Sequence, residues 1–216
     1  MIENQIKTLS VTELLGMNFY IPEYQRGYRW TKTNVLQLLN DIWEYRQEPN
    51  NRNTFYCLQP VVVRHAKWQD INGTIIQGYE LIDGQQRLTT LYLLLTFLEQ
   101  DGEGERPSVG HAGHLQYESR ARATEALRRV AQEAAKEHVR PQGSTSNADA
   151  GIHEGYSIIN QFFKQNEALN RSREKFSDFL LTKVTVVRAS LPLNTDLNRY
   201  FEIMNTRGQQ LKQIGR

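Results

Sequence analysis

The sequence predicts an α+β domain, and three observations carry that reading. Two strand-like runs, "YCLQPVVVRHAKW" and "GTIIQGYELI", are joined by the short turn "QDING", the pattern of an antiparallel hairpin. An apolar run, "LTTLYLLLTFLEQ", follows within a few residues. It is greasy on most sides, as a core helix is. A further β-branched run, "VTVVRASL", returns far downstream after helix-like segments. Strands and helices are therefore mixed without the regular alternation of a βαβ array.

The elements follow in chain order. Ser10, with Glu13 three residues on, gives a capping-box pattern for a short helix in "SVTELLGM". Pro22 disfavours helix at Ile21, so "NFYIPEYQRGYRW" reads as extended or looped. Thr31 can cap the next helix, on which Val35, Leu38, Leu39 and Ile42 recur at helical spacing. "PNNRN" ends it. Beyond the hairpin and the apolar helix, "DGEGERPSVGHAGH" is a surface loop by composition and "LQYESR" a short strand. "ESRARATEALRRVAQEAAKEH" is a charged, alanine-rich, solvent-facing helix, and "RPQGSTSNADAG" a flexible loop. Helices around "YSIINQFFKQ" and "REKFSDFLL" form a helical annex. After "VTVVRASL", Leu197, Tyr200, Phe201 and Met204 mark an amphipathic helix ending at "NTRG". The expected division is a core over 1–100, a variable loop and annex over 101–182, and a strand and helix returning to the core over 183–216.

Bulk properties remove several function classes. The net charge is +2, too small to impose a nucleic-acid footprint on the whole chain. Lys183 to Arg216 holds six Lys and Arg against Asp196 and Glu202. That local excess fits either a phosphate-facing or a merely solvated end. The one cysteine, Cys57, forms no internal disulfide, and no His or Cys cluster has zinc spacing. No apolar run reaches the ~18 residues of a membrane span, and "MIENQIKTLS" lacks a signal layout. A cytoplasmic location is expected.

Three stretches stand out as candidate sites. In "LIDGQQRLTT", Asp83 is a favoured N-cap residue, Gln86 sits at capping-box spacing, and Gly84 permits a tight turn. Capping alone leaves Arg87 unexplained, because a cation in the first turn opposes the helix dipole. Free N–H groups, the dipole and a guanidinium together make a phosphate cradle. Asp83 beside it would hold a divalent cation bridging to phosphate, and Gln85 or Gln86 would orient a water. In "IPEYQRGYRW", Tyr24, Tyr28 and Trp30 interleave with Arg26 and Arg29. Extended, Tyr24, Arg26, Tyr28 and Trp30 share one face, which suits nucleotide or nucleic acid as well as it suits packing. "FEIMNTRGQQL" reads as an ordinary helix end, with Asn205 and Gly208 as terminators and Arg207 favoured by the dipole.

Taken together and in this order, the three stretches resemble the N-terminal domain of GmrSD-type restriction enzymes, a family related to the ParB/sulfiredoxin fold. Asp83-Gly84-Gln85-Gln86-Arg87 is the most specific part, and the likeness runs from about Thr8 to Leu211. The resemblance implies a small ParB-like mixed sheet packed by helices. It implies a prokaryotic anti-phage protein acting on modified DNA, in which this domain binds and hydrolyses a nucleotide and a separate nuclease region cuts; the expected ligand is an NTP with Mg²⁺. It carries the nucleotide site to Asp83, Gly84, Gln85, Gln86 and Arg87, and places Asn205, Arg207 and Gly208 near the same pocket with a less defined, nucleotide-binding role. On that basis Asp83, Gln86 and Arg87 are expected to be catalytic, with Asp83 positioning metal or water, Gln86 orienting the attacking water, and Arg26 and Arg207 closing over the phosphates. The resemblance carries DNA sensing to Tyr24, Gln25, Arg26, Tyr28 and Trp30. Relatives usually continue into a nuclease part. This chain has no His-Asn-His constellation and ends at "LKQIGR", so a fragment, a subunit of a split system or a degenerate copy is expected, with oligomers allowed. The alternative is a non-enzymatic DNA-binding module that senses modification. A DNase acting through Asp83 ranks below both, since two-metal chemistry needs more carboxylates.

Overall fold

A computed structural model describes residues 6–49, 54–70, 73–99, 114–117, 124, 126, 127, 130 and 147–204. Its strands are β1 (Ile6–Ser10), β2 (Phe19–Ile21), β3 (Tyr56–Gln69), β4 (Ile75–Asp83), β5 (Leu115–Tyr117) and β6 (Val184–Leu191). They form one mixed sheet in the order β1-β6-β3-β4-β2-β5. β3 and β4 pair antiparallel as the expected hairpin, while β6 lies parallel to β3 and β2 parallel to β4. The helices are α1 (Val11–Leu15), α2 (Lys32–Gln47), α3 (Gln85–Leu98), α4 (Asn147–Gln165), α5 (Glu167–Arg171) and α6 (Arg173–Lys183). Residues 197–204 are also helical. The α+β expectation holds.

Local chemistry explains several boundaries. Ser10 and Glu13 form the predicted capping box: the Glu13 carboxylate accepts the Ser10 N–H at 2.8 Å, and the Ser10 hydroxyl accepts the Glu13 N–H at 3.2 Å. The Asn34 amide oxygen accepts the Thr31 N–H at 3.1 Å and starts α2 in the same way. In the hairpin turn, Gly73 has φ +80 and the Asp70 carboxylate accepts the Thr74 N–H at 2.8 Å. β3 carries an irregularity between Leu58 and Val61, where Pro60 has no N–H to give to a ladder.

One hydrophobic cluster joins the sheet to the helices. Val63, Leu81, Phe19 and Val186 meet Leu91, Leu94, Ile159, Phe163, Phe176 and Leu180 in it. Each such side chain contributes roughly 1.5–3 kcal/mol when fully buried. α3 is the centre, buried from Leu88 to Leu98, as its all-round apolarity requires. The helices read as an annex thus share the sheet's own core.

Two expectations change. α4 starts at Asn147 rather than near Tyr156, so part of the expected loop is helical. Gly151 and Gly155 disfavour helix by propensity, but here they allow close packing. A Cβ on Gly151 would lie 2.7 Å from the Tyr28 carbonyl oxygen, and one on Gly155 2.8 Å from the Tyr28 ring. α4 thereby presses on the loop that carries Tyr28. Most of the alanine-rich segment after β5 lies outside the described residues. Thr124, Ala126, Leu127 and Val130 within it are buried, not solvent-facing.

Candidate functional site

The site grows from the junction of β4 and α3. A single residue, Gly84, separates them, and its φ of +94 lies in the left-handed region. An L side chain there costs roughly 1–2 kcal/mol. A Cβ would also lie 2.8 Å from Val61 Cγ1 and 3.2 Å from Val61 Cα. Shape and space both demand glycine. Gly84→Ala is expected to lower the unfolding free energy by roughly 1–3 kcal/mol in urea denaturation.

Asp83 does not cap α3. Gly84 is the N-cap, and no side chain among the described residues caps the helix. The Asp83 carboxylate instead accepts the N–H of Gly84 at 2.7 Å. The left-handed glycine moves the helix start one residue on and leaves the carboxylate behind it. Among the described residues, no side chain accepts from the first-turn N–H groups of α3, which lie at the positive end of the helix dipole.

Gln86 is not a capping-box partner either. Its amide oxygen accepts the N–H groups of Arg29 at 2.6 Å and Trp30 at 3.1 Å, and its NH₂ donates to the Gly27 carbonyl at 3.0 Å. Gln85 is buried and donates to the Arg26 carbonyl. Gln25 donates back to the Ile82 carbonyl at 2.8 Å. These three glutamines stitch loop 24–30 to the end of β4 and the start of α3. Both lone pairs of the Gln86 oxygen are thereby filled, so its amide oxygen does not accept from a water.

Arg87 is held from the other side. One terminal NH₂ donates to the carbonyls of Gln59 at 2.9 Å and Pro60 at 3.1 Å, and the other to the Gln59 amide oxygen. All these acceptors are neutral, and Arg87 makes no ion pair among the described residues. Burial lowers its pKa from the usual guanidinium value, and nearby Asp83 offsets part of that. Gln59 and Pro60 belong to the site through the irregularity in β3, and only the strand proline signalled it in the sequence.

These parts enclose a cleft of about 640 Å³ lined by Tyr24, Gln25, Arg26, Trp30, Ile82, Asp83, Gly84, Gln85, Gln86, Arg87 and Phe201. Arg26 is exposed on its rim. The structure thus brings the first two sequence stretches together. It separates Tyr28 from them: that ring is 2% exposed, and its hydroxyl shares a hydrogen bond of 2.8 Å with Thr90. The expected common face of Tyr24, Arg26, Tyr28 and Trp30 does not form, because the chain turns after Pro22 instead of running extended. Tyr28 is a core residue that anchors the loop, not a stacking platform. Tyr24 keeps an exposed ring against Phe201, and its hydroxyl donates to Glu80 at 2.9 Å. Glu80 in turn pairs with Arg64. Phe201, read from sequence only as part of a helix face, and Ile82 also join the lining, though neither is among the expected site residues. Asn205, Arg207 and Gly208 lie outside the described residues.

Among the described residues that line the cleft, Asp83 is the one carboxylate. Among the described residues no group of three His, Cys, Asp or Glu side chains is arranged to hold an ion. Asp83 alone suits Mg²⁺, which takes one or two carboxylates and completes its shell with phosphate and water. It does not suit a two-metal nuclease centre.

No helix among the described residues is long and apolar enough to cross a membrane. Comparison with curated proteins finds no match. The family model described as GmrSD restriction endonuclease, N-terminal domain, matches residues 7–214, which takes in the cleft and the core around it. The chain belongs to that family of restriction-system domains.

Proposed function

We propose that the cleft binds the phosphates of a nucleoside triphosphate with Mg²⁺. The chain then acts as the nucleotide-responsive, NTP-hydrolysing regulatory domain of a prokaryotic anti-phage restriction system, working with a nuclease part on modified DNA. The observation that carries this reading is Arg87: a half-buried cation whose hydrogen-bond acceptors are all neutral and whose burial nearby Asp83 offsets only in part, set beside a helix N-terminus that no described side chain caps. Asp83 leaves part of that burial uncompensated, and a partly buried cation calls for further negative charge. A phosphate would supply that charge and accept the first-turn N–H groups.

Residue roles follow from what is left free. The N–H groups of Gln85, Gln86 and Arg87 receive phosphate oxygens. Arg26, exposed on the rim, closes on the outer phosphates and stabilises charge developing there. Asp83 has a carboxylate oxygen left for a cation or an attacking water. Mg²⁺, when bound, would neutralise phosphate charge. The glutamines hold the loop in place.

The alternative of a plain DNA-reading module is weakened by the burial of Tyr28 and the engagement of Gln25. Thermal unfolding of the chain with ATP, GTP, CTP and UTP, each with Mg²⁺, separates the two. A ligand at 100 times its Kd stabilises by about 2.7 kcal/mol, so a clear rise of the midpoint is expected with at least one NTP. No rise with any NTP, together with salt-sensitive DNA binding, would favour the DNA module.

A further inference from the structure

A second, smaller cavity of about 210 Å³ shares Trp30 and Arg87 with the main cleft. Its far wall is the surface of α2, where Asn34, Gln37 and Asp41 line it, with Tyr56 of β3 opposite. The two cavities differ in charge. The main cleft sets Arg26, Arg87 and a helix N-terminus against one carboxylate, Asp83. The second sets the Asp41 carboxylate against Arg87 alone, with no further cation among the described residues that line it. Asp41 therefore makes the second cavity a poor place for more phosphate. A carboxylate accepts hydrogen bonds only, so it calls for a ligand edge that donates. The Asn34 amide oxygen is already taken by Thr31, which leaves its NH₂ to donate. Burial and then Asp41 raise the pKa of the Tyr56 phenol, so its hydroxyl stays protonated and able to donate or accept. Trp30 provides an aromatic face at the boundary.

We infer that this second cavity is the nucleobase subsite of the nucleotide site. The base enters past Trp30 and presents an N–H-bearing edge to Asp41 while Asn34, Gln37 and Tyr56 complete the recognition. Arg87 sits where base-bearing and phosphate-bearing parts of one ligand would meet. The combined space lies within the range of small-molecule sites. This inference rests on the phosphate reading of the main cleft and adds which part of the ligand goes where.

The test is calorimetric titration of the chain with Mg²⁺ and either inorganic triphosphate or each of the four NTPs. Wild type and Asp41→Asn are compared; Asp41 is exposed on α2, so the variant is expected to fold. At least one NTP is expected to bind about tenfold or more tightly than triphosphate, the yield of a charge-assisted hydrogen bond. Asp41→Asn is expected to remove most of that surplus and leave triphosphate affinity within about twofold. Equal binding of NTPs and triphosphate in wild type would overturn the base subsite while keeping the phosphate site. So would a variant that keeps the full surplus. Binding of neither would overturn both.

Discussion

Arg87→Ala is expected to lose the NTP-dependent rise in unfolding midpoint while the chain stays folded. Each charge-assisted hydrogen bond to phosphate contributes roughly 1.5–3 kcal/mol. Losing the guanidinium should therefore weaken binding by about 10- to 100-fold or more. The variant also forfeits the bonds to the Gln59 and Pro60 carbonyls, so a modest drop in intrinsic midpoint is expected in the absence of ligand. Arg87→Lys keeps the charge but not the fork, and should recover only part of the response. An alanine variant with an undiminished response would place the phosphates elsewhere.

Gln86→Ala should act on the fold before it acts on any chemistry. It deletes three hydrogen bonds that latch loop 24–30 to α3. At about 1 kcal/mol for each bond, a loss of roughly 2–3 kcal/mol is expected in chemical denaturation. Hydrolysis should fall as well, because the loop carrying Arg26 and Trp30 is released. A water-positioning residue would behave differently, with wild-type stability and impaired turnover. Stability is the readout that separates the two roles.

The parts of this protein legible in its sequence are those fixed by neighbours along the chain. Ser10 and Glu13 satisfy each other across three residues, so the start of α1 could be read directly. The β3–β4 hairpin was legible because its turn chemistry at Asp70 and Gly73 is local. α3 was legible because uniform apolarity leaves a helix nowhere but the core. The start of α3 lies one residue beyond the expected one, since Gly84 takes a left-handed conformation and packs against Val61, more than twenty positions away. The early start of α4 was hidden for a similar reason: its glycines serve the packing against Tyr28.

The candidate site divides in the same way. Asp83 to Arg87 stood out because Arg87 contradicts the dipole of its own helix. What the glutamines do was not legible, because Gln86 bonds the backbone of Arg29 and Trp30, far back in the chain. Alternation placed Tyr28 with Tyr24 and Trp30, but alternation holds only in a strand, and this loop is not one. The Arg87 clamp depends on an irregularity in β3, for which Pro60 was the single local sign.

The central claim is that the open N-terminus of α3 and Arg87 receive phosphate. It is tested most directly by backbone amide NMR of the ¹⁵N-labelled chain titrated with NTP and Mg²⁺. The expected result is that the amides of Gln85, Gln86 and Arg87, with the Arg87 Nε–H, show the largest shifts and saturate together. Saturable binding with those resonances unmoved, or no binding by a well-folded sample, would contradict it.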